Sequence, residues 1–391
     1  MKKILFIING LVKNGDKVGI SGGDMRLAEI VKNTDVSLVN ILTTPNGVEF
    51  LNKLSIKYKS LYIINYSIDS GIISNLTISF KSLFFLPVKL KKFKKGIVYS
   101  SCEHLYDVLP ALRLKLLNKC KWYAVYHWVE DYPWKEKRGD TPFLRRYLYW
   151  LNRWFSGFLI KIFADKILAV SDQTKDKLLD IKKINEDKVK AVYCGVNLKE
   201  IDEVGKKYKK EKESIYDAVY MKRLNNGKGI WDLLYIWKIV CKKNKNLKLA
   251  IIGDGSPEIV KEIKDWIKEN GLEHNINLLG VIYDFEEKFR VLNSSRLFIL
   301  PTHEENWAIV IGEAMAIKLP VLCYNLKEIT PIWEDNVEWV DFGNKKQFAE
   351  KIQEYLNDKN KRNNISSKAF NFVQRYDWAK IAKEEFNSLN I

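Results

Sequence analysis

Two carboxylates flank the start of an apolar stretch late in the chain, PTHEENWAIVIGEAMAIKLPVLCY, which spans residues 301–324. Glu305 and Glu313 stand eight residues apart, across a loop and into a helix that we expect to begin near Trp307. Amides at the start of that helix would face an anion, and the carboxylates could accept hydrogen bonds from sugar hydroxyls. The alternative is that both glutamates point to solvent, which the apolar neighbours AIVIG and AMAI disfavour.

Two cations follow a predicted strand in the segment MKRLNNGKG. Arg223 and Lys228 are five residues apart, in the loop between this strand and the next helix. A planar guanidinium and a compact ammonium could together bind a diphosphate. The alternative is that both are ordinary surface cations of a lysine-rich chain.

Two glycine-rich turns permit a ligand to approach the backbone closely. Gly253 and Gly255 lie in IIGDGSPE, which lacks the third glycine of GxGxxG, so a nicotinamide cofactor is disfavoured. No GxxxxGKS/T segment occurs, which argues against a P-loop nucleoside triphosphatase. In GISGGDMRLAEI, residues 19–30, Gly22 and Gly23 precede a helix whose free amides are a natural anion site; a simple turn is the alternative.

A histidine ends another predicted strand, in YAVYHWVEDYP. His127 would lie at the edge of a cleft, where ligands of α/β proteins bind, although a structural histidine is the commoner case. His127, His303 and the nearby carboxylates show no HxxxH or similar spacing, so we expect no metal site.

Short apolar runs alternate with longer helical patterns, which predicts βαβ units and parallel sheets. The predicted strands are KILFIIN, VSLVNIL, LYIINY, GIVYSS, KWYAVYH, DKILAVS and VKAVYCG, then DAVYMKR, LKLAIIGDG, INLLG, RLFILP, PVLCY and VEWVDF. Helices are predicted near residues 25–33, 230–242, 258–270 and 377–389. Between the two groups of strands, the charged stretch EVGKKYKKEKES predicts a linker.

The pattern predicts an α/β protein with two doubly wound, Rossmann-like domains that face a central cleft. A chain of 391 residues also exceeds one ordinary core. We place an N-terminal domain at residues 1–204 and a C-terminal domain at residues 205–375. A closing helix at residues 376–391 is expected to pack back toward the N-terminal domain.

The amino-acid composition limits the cellular compartments and the classes of partner that fit this protein. Five scattered cysteines without a CxxC pair favour a reducing compartment. MKKILFIING has an apolar core too short for a signal peptide, and no run of about 18 apolar residues predicts a membrane span. A net charge of +17 favours nucleic acid, an anionic membrane or phosphorylated substrates as partners, or simply a solvated lysine-rich surface.

Taken together, these segments resemble the retaining glycosyltransferases of family 4, which have the GT-B fold. That family's order is a glycine-rich loop, a cleft histidine, GRLxxxKG, GxG and ExxxxxxxEAMAxGxPV. Here the order is SGGD, YHW, KRLNNGKG, GDG and ENWAIVIGEAMAIKLPV, and the resemblance covers nearly the whole chain. The sequence departs where NLKEI replaces a GG after PV, and where the family usually has glycines in place of Lys222, Asn306, Ala308 and Lys318.

The resemblance implies a retaining glycosyltransferase of hexosyltransferase type. It would move a sugar from a UDP- or GDP-sugar to a hydroxyl of a glycan or lipid-linked glycan. Residues 1–204 would bind the acceptor, and residues 205–375 the donor. No cofactor and no metal are expected, because the nucleotide sugar is a co-substrate and cationic side chains would neutralise its diphosphate.

The resemblance also implies roles for single residues. Arg223 and Lys228 would neutralise the leaving diphosphate. Glu305 would hold hydroxyls of the donor sugar and Glu313 the ribose. Gly23 would let the backbone approach the diphosphate, and the implied contact of His127 is with the sugar or the acceptor. The implied catalytic residues are Arg223, Lys228, Glu305 and His127, and the implied donor-binding residues are Gly23, Gly253, Gly255, Glu305, Asn306, Trp307, Ala308, Ile309 and Glu313.

A segment dense in aromatic residues, TPFLRRYLYWLNRWFSGFLIKIF, spans residues 141–163. At helical spacing Arg145, Arg146, Arg153 and Lys161 fall within roughly half of the circumference. Basic charge beside interfacial aromatics is typical of peripheral membrane proteins, so we predict a cytoplasmic protein that associates with an anionic membrane surface. The alternative is a helix packed in the core between the domains.

Three other functions remain as alternatives. A nucleic-acid-binding protein would explain the charge, but no RRM or helix-turn-helix pattern occurs, so nucleic acid is disfavoured as a partner. A non-catalytic sugar-nucleotide-binding or scaffold protein of the same fold would explain the missing glycines. A sugar-nucleotide epimerase of the same architecture would need no acceptor.

Overall fold

The computed structural model describes residues 2–11, 13–14, 17–18, 21–66, 72–84, 86–129, 132–134, 142–208 and 214–389. The chain forms two compact units. The first consists of Met1–Cys194 with Trp378–Ile391, and the second of Gly195–Asp377.

The first unit is built on a parallel sheet of seven strands. The strands of this unit are β1 (Ile4–Ile8), β2 (Lys13–Asn14), β3 (Lys17–Val18), β4 (Val39–Thr43), β5 (Ser60–Ile63), β6 (Ile97–Ser100), β7 (Lys121–Tyr126), β8 (Lys166–Ala169) and β9 (Val189–Ala191). The order in the sheet is β5-β4-β1-β6-β7-β8-β9, while β2 and β3 form a separate antiparallel pair. Strand order therefore reverses between β1 and β6.

Helices connect the strands of the first unit. They are α1 (Gly22–Lys32), α2 (Pro45–Lys53), α3 (Ile72–Phe84), α4 (Leu105–Asn118), α5 (Phe143–Phe163) and α6 (Asp172–Asp180). A helix from the end of the chain, Trp378–Ser388, also belongs to this unit. It packs on α1, where Arg26 forms a buried ion pair with Glu385.

The second unit repeats the plan with six parallel strands. They are β10 (Ala218–Met221), β11 (Leu249–Ile252), β12 (Ile276–Gly280), β13 (Phe298–Leu300), β14 (Val321–Tyr324) and β15 (Glu338–Val340), in the order β12-β11-β10-β13-β14-β15. Its helices are α7 (Leu198–Lys207), α8 (Ile230–Lys243), α9 (Pro257–Glu269), α10 (Phe285–Asn293), α11 (Ile309–Ala316), α12 (Thr330–Trp333), α13 (Lys345–Asn357) and α14 (Lys359–Val373), and the helix at Trp378–Ser388 is α15. Here strand order reverses between β10 and β13.

The burial of the strands explains why they could be predicted from the sequence. Every residue of β1, β4, β6, β10, β11 and β14 is buried, as expected for parallel strands covered on both faces. Continuous apolar runs, rather than alternating ones, mark such strands. The doubly wound α/β prediction is therefore confirmed, and all thirteen predicted strands occur within one or a few residues of their expected places.

The boundary region differs from the prediction. The structure divides the chain at Cys194 and Gly195, whereas the sequence prediction placed the division at residue 205. The first part of the predicted linker is the end of α7, whose Ile201 and Val204 are buried and which packs on α10 within the second unit. Residues 209–213 of that stretch lie outside the described residues.

Among the helices that the structure describes, none combines the length and the apolar character needed to cross a membrane.

Candidate functional site

Two loops follow neighbouring strands at the reversal of strand order in the second sheet. β10 and β13 pair in parallel, although β11 and β12 separate them in the sequence. Ligands of doubly wound proteins bind beyond the carboxyl ends of the strands at such a point. The loop after β10 carries Lys222 and Arg223, and the loop after β13 carries residues 302–305.

A capped turn positions Lys228. The Asn225 side chain accepts a hydrogen bond from the Lys228 backbone N–H at 2.9 Å, which starts a short 3-10 helix. The Lys228 ammonium reaches the loop after β13, where it donates to the Glu304 carbonyl oxygen at 2.7 Å and lies 3.4 Å from Glu305 Oε1. Burial, opposed by the charge of Glu305, lowers the pKa of Lys228.

Glu305 is a buried carboxylate with two cationic neighbours. Its Oε1 lies 2.8 Å from the Lys222 ammonium and 3.4 Å from that of Lys228, and the Thr302 hydroxyl donates to it at 3.3 Å. Burial by itself raises the pKa of Glu305, but the two lysines outweigh burial and hold this pKa below 4.5. Glu305 is therefore an anion at neutral pH, and all three contacts go to one of its two oxygens.

Lys222 is the site residue that sequence reasoning missed. In the sequence this residue shows only as a departure from a family glycine, yet its ammonium forms the shorter of the two ion pairs to Glu305. Its position directly after β10 and before Arg223 was the available signal. Arg223 is exposed and, within the described part of the chain, has no hydrogen bond or ion pair, so its guanidinium is available to an anion.

The predicted glycines Gly253 and Gly255 pack the loop after β11 against the loop after β10. Gly253 has φ +149°, and a Cβ there would lie 1.8 Å from the Lys222 carbonyl oxygen. A Cβ on Gly255 would lie 2.5 Å from the Leu224 carbonyl oxygen. Side chains at either position would push these loops apart, so both glycines support the backbone that carries Lys222 and Arg223.

The helix after the Glu305 loop begins later than predicted. It starts at Ile309 rather than near Trp307, because Ala308 adopts left-handed φ and ψ of 57° and 59°. Asn306 is half-buried, and Trp307 is buried with its ring edge-on to those of Trp333 and Tyr376. The Trp307 side chain therefore belongs to the core of the unit.

The second predicted carboxylate, Glu313, lies on α11 and is half-buried. Its Oε1 accepts a hydrogen bond from the Lys288 ammonium of α10 at 2.8 Å. Glu305 and Glu313 thus share a feature that their spacing did not reveal, since each is paired with a lysine from a distant segment.

A further polar cluster lies where β13 and β14 end. Asp232 of α8 contacts His303 Nε2 at 3.1 Å, the Tyr324 hydroxyl at 2.9 Å and the Lys345 ammonium at 3.1 Å. Burial would raise the pKa of Asp232, but these three partners lower it. His303 therefore has a structural carboxylate partner. No group of three or more His, Cys, Asp or Glu side chains in the described ranges is placed to hold a metal ion.

In the first unit the structure brings Gly23 and His127 together. A Cβ on Gly23 would lie 3.0 Å from the His127 ring, so only glycine fits without a shift. His127 Nε2 lies 2.9 Å from the Ser101 carbonyl oxygen, which can only accept, so Nε2 carries the proton. Burial lowers the pKa of His127, which favours the neutral ring.

The turn before α1 is a capped helix start. Ser21 is the N-cap, and its hydroxyl and backbone N–H exchange hydrogen bonds with Asp24. Gly22 and Gly23 consequently lie inside the first helical turn rather than before it. Residues 19 and 20 of the predicted turn fall outside the described ranges.

Two buried carboxylates after β6 were not anticipated from the sequence. Asp107 accepts hydrogen bonds from Asn9 N–H at 2.9 Å, from the Ser101 hydroxyl at 2.5 Å and from the Cys102 thiol at 3.3 Å. Burial raises the pKa of Asp107 to about 7. Glu103 pairs with Arg153 and accepts from the His127 backbone N–H at 3.1 Å. Their partners lie up to about a hundred residues away, so no local pattern marks them.

Comparisons with known proteins agree with this architecture. A family model described as Glycosyltransferase Family 4 matches residues 60–200, and one described as Glycosyl transferases group 1 matches residues 199–372. The capsular polysaccharide biosynthesis glycosyltransferase CapM of Staphylococcus aureus is 26% identical over 236 residues, 58% of this chain and 61% of CapM. An uncharacterized glycosyltransferase of Methanocaldococcus jannaschii is 27% identical over 237 residues, 58% of this chain and 60% of that protein. The matched region spans about three fifths of these relatives.

Solved structures match over the full chain. Anabaena HepE, solved with UDP and glucose, superposes with a TM-score of 0.73 at 17% identity, covering 100% of both chains. Staphylococcus aureus TarM, solved with UDP among other ligands, superposes with a TM-score of 0.71 at 14% identity, again covering 100% of both. At these identities the likeness establishes the fold. With its two family models and two parallel α/β units, the chain belongs to the glycosyltransferases of family 4, also called group 1, and has the GT-B fold.

Proposed function

We propose that this protein is a retaining glycosyltransferase that takes a hexose from a nucleotide diphosphate sugar. The observation that carries the proposal is the charge arrangement at the carboxyl ends of β10 and β13. Lys222 and Lys228 both pair there with one buried carboxylate, Glu305, and the exposed Arg223 lies close enough to Lys228 for its charge to lower the pKa of that lysine. Such an arrangement suits a ligand that is anionic at one end and rich in hydroxyls at the other.

The chemistry assigns a role to each group. Arg223 and Lys228 would neutralise the charge that develops on the diphosphate as its bond to the sugar breaks. Glu305 directs its three contacts to Oε1, so Oε2 would accept hydrogen bonds from donor-sugar hydroxyls. The departing phosphate oxygen would take the proton of the attacking acceptor hydroxyl, which needs no nucleophile from the protein. The cationic side chains would make a metal ion unnecessary.

Further contacts complete the proposed donor and acceptor sites. Glu313 would bind the ribose after releasing Lys288, and Gly23 would let the backbone approach the diphosphate. The neutral His127 ring would hydrogen-bond the sugar or the acceptor. For the nucleotide we favour UDP over GDP, because HepE and TarM were both solved with UDP.

The acceptor is proposed to be a hydroxyl of a glycan or lipid-linked glycan. CapM, a relative over part of its length, is described as a capsular polysaccharide biosynthesis enzyme, and polysaccharides are extended at such hydroxyls. A cytoplasmic location is supported by the cysteines, since all five are free thiols and four of them are buried.

A second candidate is a sugar-nucleotide-binding protein of the same fold without turnover. The observation that favours it is that both predicted carboxylates are already paired. Lys222 lies 2.8 Å from Glu305 and Lys288 lies 2.8 Å from Glu313, so a donor must displace Lys288 to reach that oxygen of Glu313 and meets Glu305 without displacing Lys222 only at Oε2.

Calorimetric titration and turnover assays separate the two candidates. Purified protein is titrated with UDP and GDP, then supplied with UDP- and GDP-sugars while release of free nucleotide diphosphate is followed. We expect binding and turnover, and loss of both in Arg223→Ala and Lys228→Ala. The matched control is Lys264→Ala, which removes an exposed lysine of α9 in the same unit. Binding without turnover would favour the second candidate, and full activity in both site variants would refute the diphosphate assignment.

A further inference from the structure

The first unit carries a long apolar surface on α5. Nine large apolar side chains between Phe143 and Ile162 are 39–68% exposed. At about 100° per residue they fall within an arc of roughly 140°, and the arc runs about 30 Å along the helix. The buried Ser156, Gly157 and Ile160 lie outside that arc. We call these nine exposed side chains the α5 stripe.

The α5 stripe is not core packing, so the alternative that this aromatic segment is a packed helix is wrong for this face. An exposed apolar patch of this length is unusual on a monomeric soluble protein and marks an interaction surface. Its aromatic side chains are also ordered against one another. The rings of Trp154 and Phe158 stack at 6.1 Å, and those of Phe143 and Tyr147 at 6.4 Å. Aromatic rings of this kind concentrate where water meets lipid.

Most of the excess positive charge of the chain lies in the unit that carries the stripe. Residues 1–194 and 378–391 contain 35 Lys and Arg against 20 Asp and Glu, a net charge of +15. Residues 195–377 contain 30 Lys and Arg against 28 Asp and Glu, a net charge of +2. The proposed diphosphate site lies in the nearly neutral unit. Binding of the donor therefore does not account for the excess charge.

Lysines also gather at the end of the stripe. The Lys161 ammonium donates to the Lys182 carbonyl oxygen at 3.0 Å, and the Lys188 ammonium donates to the Lys161 carbonyl oxygen at 3.2 Å. The Lys188 ammonium also donates to the Ile162 carbonyl oxygen at 3.4 Å, so the side chains of Lys161 and Lys188 lie beside Ile162, the last residue of the stripe. Lysines next to exposed apolar side chains are placed to meet anionic head groups while the apolar side chains enter the lipid boundary.

We infer that the α5 stripe docks the first unit onto an anionic lipid bilayer. Charge complementarity favours this occupant over a second copy of the chain, because self-association through the stripe would bring two units of charge +15 together. In the bilayer, the apolar arc lies in the head-group boundary and the lysines contact acidic head groups. The inference does not depend on the proposed transfer reaction, although it would place the enzyme beside lipid-linked acceptors.

Vesicle co-sedimentation tests the docking surface. The full chain is mixed, without donor or acceptor, with vesicles of phosphatidylglycerol and phosphatidylcholine, or of phosphatidylcholine alone, at low and high salt. We expect sedimentation with the anionic vesicles that weakens with salt. The double variant Trp154→Ser/Phe158→Ser should lower the vesicle partition coefficient on the order of tenfold or more, because two large apolar side chains no longer leave water.

Controls separate a surface effect from misfolding. Both substituted side chains are exposed, so the circular dichroism melt of the double variant should match that of the unchanged protein. Tyr235→Ser, which removes an exposed aromatic ring in the second unit, should leave vesicle binding unchanged. Unchanged protein that stays in the supernatant, or a double variant that sediments as well as it does, would overturn the inference. So would a dimer in sedimentation velocity that the double variant converts to monomer without any vesicle binding.

Discussion

The ion pair between Lys222 and Glu305 leads to a measurable coupling in stability. The two charged groups are 2.8 Å apart, and their side chains are only 15% and 6% exposed. Removing one partner of a buried pair costs about 3–5 kcal/mol when the other charge is left alone. Lys228 remains 3.4 Å from Glu305, so we expect Lys222→Met to cost roughly 2–3 kcal/mol at pH 7.

A double-mutant cycle measures that coupling directly. Lys222→Met, Glu305→Gln and the double variant are unfolded in urea as full-length chains and followed by circular dichroism. The double variant should be more stable than the sum of the two single losses predicts, by on the order of 2 kcal/mol, because once Glu305 is gone the removal of Lys222 no longer deprives a buried carboxylate of its cation. As a matched control, Lys261→Met breaks an exposed ion pair with Asp265 and should leave stability unchanged.

The pH dependence of the cycle has a definite sign. The folded protein holds the pKa of Glu305 below 4.5, so the pair contributes its full stability above that pH. The contribution is lost as pH falls through the folded-state pKa, and the coupling should shrink in acid. Losses that simply add at pH 7 would show that the two side chains do not interact in solution, and would refute this account of Glu305.

Three further predictions concern stability. Lys318→Gly should stabilise the chain by about 1 kcal/mol in urea unfolding, because Lys318 has a left-handed φ of 57° that glycine adopts without strain; an unchanged stability would contradict the strain. Asp107, whose pKa rises to about 7 on folding, makes the folded state bind more protons than the unfolded chain between its usual pKa and 7, so stability should fall by roughly 2–3 kcal/mol from pH 5 to pH 8. In urea unfolding at pH 5 and pH 8, Asp107→Asn should remove most of this difference in stability. An unchanged difference would show that another group causes it. Arg26→Met should cost about 3–5 kcal/mol in urea unfolding, because it strands the buried Glu385 carboxylate that Tyr99 and Arg26 share; a loss below about 1 kcal/mol would contradict the buried pair.

The fold was predictable because its physical cause is local. Strands covered on both faces must be apolar throughout, so continuous apolar runs such as ILFII and LAII predict buried strands from the sequence alone. The linker prediction was wrong at α7, because this helix buries only a narrow face and its many charged residues hide the helical pattern. Ile201 and Val204 are the buried residues of α7, and the charged residues around them are typical of a linker. The left-handed Ala308 that delays α11 has no sequence marker, since alanine is otherwise the best helix former.

The candidate site was predictable only in part. Arg223, Lys228 and Glu305 follow strands that meet at the reversal of strand order, and topology explains their placement. The partners of these residues depend on long-range packing. Lys222 reaches Glu305 across 83 positions of the sequence, and Lys288 reaches Glu313 from a separate helix. A family glycine replaced by Lys222 looked like a loss, whereas in the folded chain it adds a cation to the site.

The central claim is that Arg223 and Lys228 bind a diphosphate at the carboxyl ends of β10 and β13. A crystal structure of the full chain with a bound UDP-sugar tests it most directly. The account predicts phosphate oxygens about 3 Å from the Arg223 guanidinium and the Lys228 ammonium, with a sugar hydroxyl on Glu305. A nucleotide bound elsewhere, with those side chains still directed away from its phosphates, would contradict it.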